Sequence, residues 1–75
     1  MDWKAHISSD PTVCHGKACI KGTRVLVSVI LDNLAEGETH EAIARAYWIT
    51  EEDVQATLHY AAELAKDRIV SLGVA

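Results

Sequence analysis

Four residues in the first quarter of the chain carry metal-ligand side chains: His6, Cys14, His15 and Cys19. A structural zinc site needs four converging nitrogen or sulfur donors, and its usual sequence sign is a pair of Cys-x2-Cys knuckles. Here the spacing is Cys-His-x3-Cys. On a strand, Cys14 and His15 would point to opposite faces. The expectation is two small thiols and solvent-facing imidazoles, with no metal and no other cofactor. Met1-Asp2-Trp3-Lys4 runs into polar residues rather than an apolar stretch. That places the chain in the reducing cytoplasm, where a Cys14–Cys19 disulfide is not expected. No Ser-His-Asp or Cys-His arrangement stands out. The carboxylates gather at helix starts, where the helix dipole accounts for them. A PIN-type nuclease would need a larger α/β fold and converging acidic residues. The chain is therefore read as a binding protein and not an enzyme.

The second grouping is Gly16-Lys17-Ala18-Cys19-Ile20-Lys21-Gly22-Thr23-Arg24. Backbone amides at glycine turns, flanked by cations, can hold a phosphate. The segment is not a Walker loop, because the second glycine is followed by Thr23-Arg24 instead of Lys-Ser/Thr. The plainer alternative is a structural hairpin with Arg24 bonded to backbone carbonyls or a carboxylate, and for Thr23 this structural role is the favoured one. Lys17, Lys21, Thr23 and Arg24 are the candidate DNA contacts here. Arg45, Gln55 and His59 join them from the helices.

These residues must be positioned by a small fold. The 75 residues make one domain, 1–75, with an arm over 1–27 and a helical core over 28–73. A chain this short buries only about 60% of its unfolded surface, so a homodimer is expected to supply the rest. No stretch approaches the ~20 apolar residues of a membrane span. The net charge is −4, divided as +2 over residues 1–24 and −6 over the remainder. That division suggests two surfaces with different partners, or more simply a solubilising acidic face.

Ser8-Ser9-Asp10-Pro11 reads as a turn. Thr12-Val13-Cys14 and Ala18-Cys19-Ile20 read as hairpin strands joined by His15-Gly16-Lys17. Val25-Leu26-Val27 is a third apolar run. The first helix is expected from about Ser28 to Glu36, either with Ser28 as its N-cap or with Val27 already helical, and with Gly37 as the stop. Thr39 caps a second helix that ends near Tyr47. Trp48-Ile49-Thr50 is the link, and Thr50 caps a third helix whose stripe is Val54, Leu58, Ala61, Ala65, Ile69 and Leu72, ending at Gly73. Ala61, Ala62 and Ala65 would let another helix come close. The fold class is mainly α: a three-helix, homeodomain-like helix-turn-helix with a short N-terminal β-hairpin arm. Trp3 and Trp48 are expected as core or dimer anchors. Tyr47 and Tyr60 are expected to pack with their hydroxyls at the surface, and His40 and His59 to be solvated. The third helix opens on Glu51, Glu52 and Asp53. Three carboxylates there oppose a polyanion, so any DNA contact should draw on the basic arm.

The stretch from Ile7 through Val27, with Lys21-Gly22-Thr23-Arg24 at its centre, resembles the opening of the domain of unknown function 433. Leu34-Ala35-Glu36-Gly37, Glu41-Ala42-Ile43 and Thr50-Glu51-Glu52-Asp53-Val54 continue the resemblance. Ala18 stands where that family usually has proline, which should loosen the second hairpin strand. Members are similar to homeodomain-like proteins, and many look like VapB-type antitoxins. The resemblance implies a regulator of a type II toxin-antitoxin pair that binds a PIN-like ribonuclease toxin and possibly operator DNA. The alternative is a dimeric interaction module without DNA binding.

Overall fold

The computed structural model describes residues 1–67. The chain is mainly helical, with three helices and a short two-stranded antiparallel sheet near the N-terminus. The helices are α1 (Val27–Ala35), α2 (His40–Tyr47) and α3 (Glu51–Asp67). Strands β1 (Ile7–Ser8) and β2 (Cys19–Ile20) pair Ile7 with Ile20 and Ser8 with Cys19. Single 3-10 turns cover Trp3–His6 and Cys14–Gly16. No helix among the described residues is long and apolar enough to cross a membrane.

The sheet is not the hairpin expected from the β-prone runs. Residues 12–14 are not a strand; β1 lies further back, at Ile7–Ser8. The cause is local. The Asp10 carboxylate accepts both the backbone N–H and the hydroxyl of Thr12, which closes a turn. Then Cys14, His15 and Gly16 all take positive φ (52, 55 and 80°), which no strand can hold. The third apolar run is split: Leu26 bridges Cys19, and Val27 already begins α1.

The helix ends follow their capping chemistry. Thr50 and Asp53 cap α3 reciprocally. The Thr50 hydroxyl accepts the Asp53 N–H at 3.0 Å, and the Asp53 carboxylate accepts the Thr50 N–H at 3.0 Å. Thr39 accepts the Ala42 N–H at the start of α2. Gly37 (φ 92°) ends α1, where Gly37 N–H meets the Leu34 carbonyl and Glu38 N–H the Asn33 carbonyl. That bond pair is a Schellman stop. Ser28 is not the cap; Val27 is already helical. Extended Leu26 precedes the helix without a side-chain cap, and Val27 N–H bonds the Ala18 carbonyl. The sheet segment thus takes over part of the capping.

Ile30, Ile43 and Val54, one from each helix, form the centre of the core. Val25, Leu34, Ala44, Tyr47 and Ile49 pack around them. Asn33 donates to the Tyr47 hydroxyl at 3.0 Å and to the Val29 carbonyl, so this hydroxyl ties α2 to α1 instead of facing water. The α3 stripe differs from the expected one. Val54, Ala56 and Thr57 are buried, whereas Leu58 and Ala65 are exposed. Thr57 enters the core because its hydroxyl donates to the Val54 carbonyl, removing the cost of burying it. Ile69, Leu72 and the Gly73 stop lie outside the described residues.

The arm is part of this body. Lys21 N–H bonds the His6 carbonyl, and Trp3 meets Tyr60 edge-on at 6.0 Å. His6, expected at the surface, is half-buried with its Nδ1 2.8 Å from Asp53 Oδ1 on α3.

Candidate functional site

The candidate contacts fall into two groups. Lys17, Lys21, Thr23 and Arg24 belong to the loop and turn around β2. Gln55 and His59 stand on the outward face of α3. Arg45 lies on α2.

In the first group, Lys21-Gly22-Thr23 form a tight turn closed by Thr23 N–H to the Ile20 carbonyl. Gly22 (φ 80°) supplies the left-handed residue, and the space beside its Cα is open. Thr23 is committed internally: its hydroxyl donates to the Ile20 carbonyl at 2.7 Å and accepts the Val25 N–H at 3.0 Å. It shapes the turn that presents its neighbours. Lys17, Lys21 and Arg24 are exposed. Among the described residues, none has a carboxylate within 4.0 Å. Arg24 lines an open cleft of about 550 Å³ with Ser8, Val13, Gly22, Thr23 and Asp10. Asp10 faces that cleft with a carboxyl held below its ordinary range, chiefly by the Thr12 N–H and also by the Thr12 hydroxyl. An anion entering the cleft would therefore meet one cation and one carboxylate.

The two thiols lie behind this turn. Cys19 is buried and Cys14 half-buried, both reduced. Cys14 Sγ reaches the Arg24 carbonyl and Cys19 Sγ the Thr23 carbonyl, each at 3.5 Å. Burial pushes the Cys14 thiol up, and Cys19 beside it pushes it further, against the pull of Arg24. A raised thiol stays protonated and is a poor nucleophile or metal ligand near neutrality. Among the described residues, no three His, Cys, Asp or Glu side chains converge as a metal site would.

The second group sits apart. Gln55 and His59 line a shallow depression of about 200 Å³ with Leu58 and Ala62. Arg45 pairs with Glu41 one turn away at 2.7 Å, both well exposed. Such a surface pair is worth only about 0.5 kcal/mol and is readily exchanged for another anion. Glu51 and Glu52 are exposed at the start of α3. Neither has a cationic partner among the described residues. Of the three acids, only Asp53 turns inward.

Trp48 was not legible as a surface residue. It is 93% exposed, so it is no core anchor. It is also the left-handed residue (φ 59°, ψ 42°) that ends α2, and Ile49 N–H reaches back to the Ala44 carbonyl at 3.0 Å. A non-glycine residue pays about 1–2 kcal/mol in this conformation. Trp48→Gly is expected to raise stability by about 1 kcal/mol, because little packing is lost. Urea unfolding of the two proteins measures it; a destabilised variant would show that the ring holds the turn.

The fold is a mainly helical, three-helix unit with a short two-stranded sheet in its N-terminal arm. Its sequence places it further: the family described as Protein of unknown function (DUF433) matches residues 7–61, well over half of the chain, and the chain belongs to that family. The X-ray crystal structure of Rv2018 from Mycobacterium tuberculosis is similar, with 29% identity and a TM-score of 0.66. The match covers 73% of this chain but 26% of that one, so the chain spans about a quarter of that structure. No curated protein matches the chain.

Proposed function

We propose that this chain is the antitoxin-like regulator of a type II toxin-antitoxin pair. On this reading it binds a PIN-like ribonuclease toxin and, as a homodimer, operator DNA; it has no catalysis of its own and works in the cytoplasm. The observation that carries the DNA part is the unneutralised cationic turn. Lys21 and Arg24 flank Gly22, both exposed, without a carboxylate within 4.0 Å among the described residues. Unpaired cations held on a rigid turn favour phosphate, since no internal ion pair must be broken first. The helices add to this reading. α2, the link at Trp48–Thr50 and α3 have the spacing of a homeodomain-like helix-turn-helix. The outward face of α3 offers Gln55, which suits adenine, with His59 one turn on. The toxin part rests on the family resemblance.

The second reading is an interaction module without DNA binding. Exposed Glu51 and Glu52 at the start of α3 favour it, because they would face the phosphates if α3 entered a groove.

Two measurements decide. Co-expression with the product of the adjacent gene should give a co-purifying complex and relieve growth arrest; no co-purification together with no relief overturns the toxin reading. A gel-shift titration with the chain's own upstream DNA separates the two readings. Lys21→Ala with Arg24→Ala should weaken binding about tenfold or more and flatten the salt dependence by about two phosphate contacts. Absence of salt-sensitive binding leaves the pure interaction module.

A further inference from the structure

Cys14 and Cys19 are the two cysteines of the chain, and the fold brings them to one place. Cys19 is fixed. It lies in β2, fully buried, paired with Ser8 on one side and bridged to Leu26 on the other. Cys14 comes from the 3-10 turn between the strands and is half-buried. Its backbone is left-handed, φ 52°, a conformation that non-glycine residues rarely take. The two sulfurs converge on one turn. Cys14 Sγ donates to the Arg24 carbonyl and Cys19 Sγ to the carbonyl of the preceding residue, Thr23, each at 3.5 Å. Cys19 acts on the Cys14 thiol directly, side chain to side chain. The Cys14 bond also joins the two sides of the open cleft of about 550 Å³. Val13, next to Cys14, lines one side, and Arg24 lines the other.

We propose that Cys14 and Cys19 form a dithiol that a small-molecule disulfide closes into a disulfide bond, and that closure cuts the tie between the loop and Arg24. The half-buried Cys14 reacts first. It gives up its proton, and its sulfur attacks one sulfur of the oxidant. The oxidant's S–S bond breaks, and the first small thiolate leaves and takes that proton. Cys19 gives up its proton in turn and attacks the Cys14 sulfur of the mixed disulfide. The second small thiolate leaves as a thiol. Two protein thiols are oxidised, and one small disulfide is reduced to two thiols. Both S–H donors are then gone from the Thr23 and Arg24 carbonyls. S–H is a weak donor, so little is lost by giving these bonds up. The turn keeps its own closure, since the Thr23 N–H and hydroxyl still donate to the Ile20 carbonyl. What changes is the cleft: its Arg24 side is no longer held to its Val13 side. Strongly oxidising dithiols owe that property to a stabilised thiolate in the reduced form. Burial, with Cys19 beside it, disfavours the Cys14 thiolate here, so the reduced state has no such hold. The same cause makes the first attack slow, and closure is therefore read at equilibrium. Neither DNA nor a toxin enters the test, so its failure leaves the proposed function untouched.

The full chain is equilibrated at neutral pH with glutathione disulfide in excess over glutathione, then followed by mass spectrometry and amide correlation spectra. The expected mass change is the loss of two hydrogens, with a proteolytic fragment that joins Cys14 to Cys19. Helical circular dichroism should stay unchanged. Amide shifts should be confined to residues 14–19 and 23–25, and dithiothreitol should reverse them. Cys14→Ser should keep the reduced spectrum and take up no glutathione, because Cys19 is buried. A Cys14–glutathione adduct that persists at equilibrium or a disulfide between two chains overturns the proposal. So does a closed chain that has lost its helices, a closed chain whose shifts spread to Ile43 and Val54 in the core, or uptake of glutathione at Cys19 in Cys14→Ser.

Discussion

Ile43→Ala is expected to remove about 2–5 kcal/mol of stability. Ile43 is 1% exposed and sits between Ile30 of α1 and Val54 of α3. It is the one fully buried side chain of α2, an eight-residue helix that is otherwise half-buried or exposed. The loss therefore has two sources: the transfer of the missing methyl and methylene groups, and the cavity that three converging elements cannot close. A 75-residue chain has roughly 4–11 kcal/mol to lose. The variant should therefore lose a large fraction of its stability, with α2 the first element to fray. Urea unfolding followed by far-UV circular dichroism gives the midpoint, which should fall with little change in slope. Ile43→Val should cost about 1 kcal/mol, separating cavity formation from any special need for isoleucine. An Ile43→Ala protein within about 0.5 kcal/mol of the wild type would mean that this core is not what holds the helices together.

Asp53→Ala should cost about 2 kcal/mol through two lost acceptors. One oxygen receives the Thr50 N–H that starts α3, and the other receives His6 Nδ1 from 47 residues away. The first is a local cap; the second fastens the N-terminal turn to α3. Burial pushes the Asp53 carboxyl up, but the Thr50 N–H, the His6 ring and the Thr50 hydroxyl outweigh it, and it settles below its ordinary value of 3.8. The folded chain thus binds the Asp53 proton less readily than the unfolded chain. The stabilisation from ionised Asp53 is complete above the unfolded value. It disappears as pH falls through the lower, folded value. Stability measured from pH 7 down to 3 should drop less steeply in Asp53→Asn than in the wild type. Equal slopes would place the staple elsewhere.

These two sites show what the sequence could and could not disclose. The helices were legible because their signals are local: Thr39, Gly37 and Thr50 act on backbone within three or four residues of themselves. Of the core triad, Val54 stood on the stripe expected of the third helix. β1 was not legible, because Ile7–Ser8 is too short to carry a pattern and depends on a partner eleven or more residues away. Thr57 hid a buried position behind a polar side chain that satisfies itself within its own helix. His6 looked like a solvated imidazole because Asp53 is near it only after α3 has docked. Among the candidate contacts, the basic turn was legible from its glycine and cations. That Thr23 is consumed by the turn itself, and that Arg45 rests in an exchangeable surface pair with Glu41, required the folded structure.

The two tryptophans are unequal witnesses to the molecule's behaviour. Trp3 is half-buried against Tyr60, while Trp48 is already 93% in water. Intrinsic emission should therefore be red-shifted even in the native protein, and added iodide should quench about half of it. The part that changes on denaturation comes from Trp3. An emission-monitored unfolding curve would report the release of the N-terminal turn from α3, and can run ahead of a circular-dichroism curve for the helices. Trp48 is left as a native solvent-facing probe, whose shielding would mark any partner that settles on the link between α2 and α3.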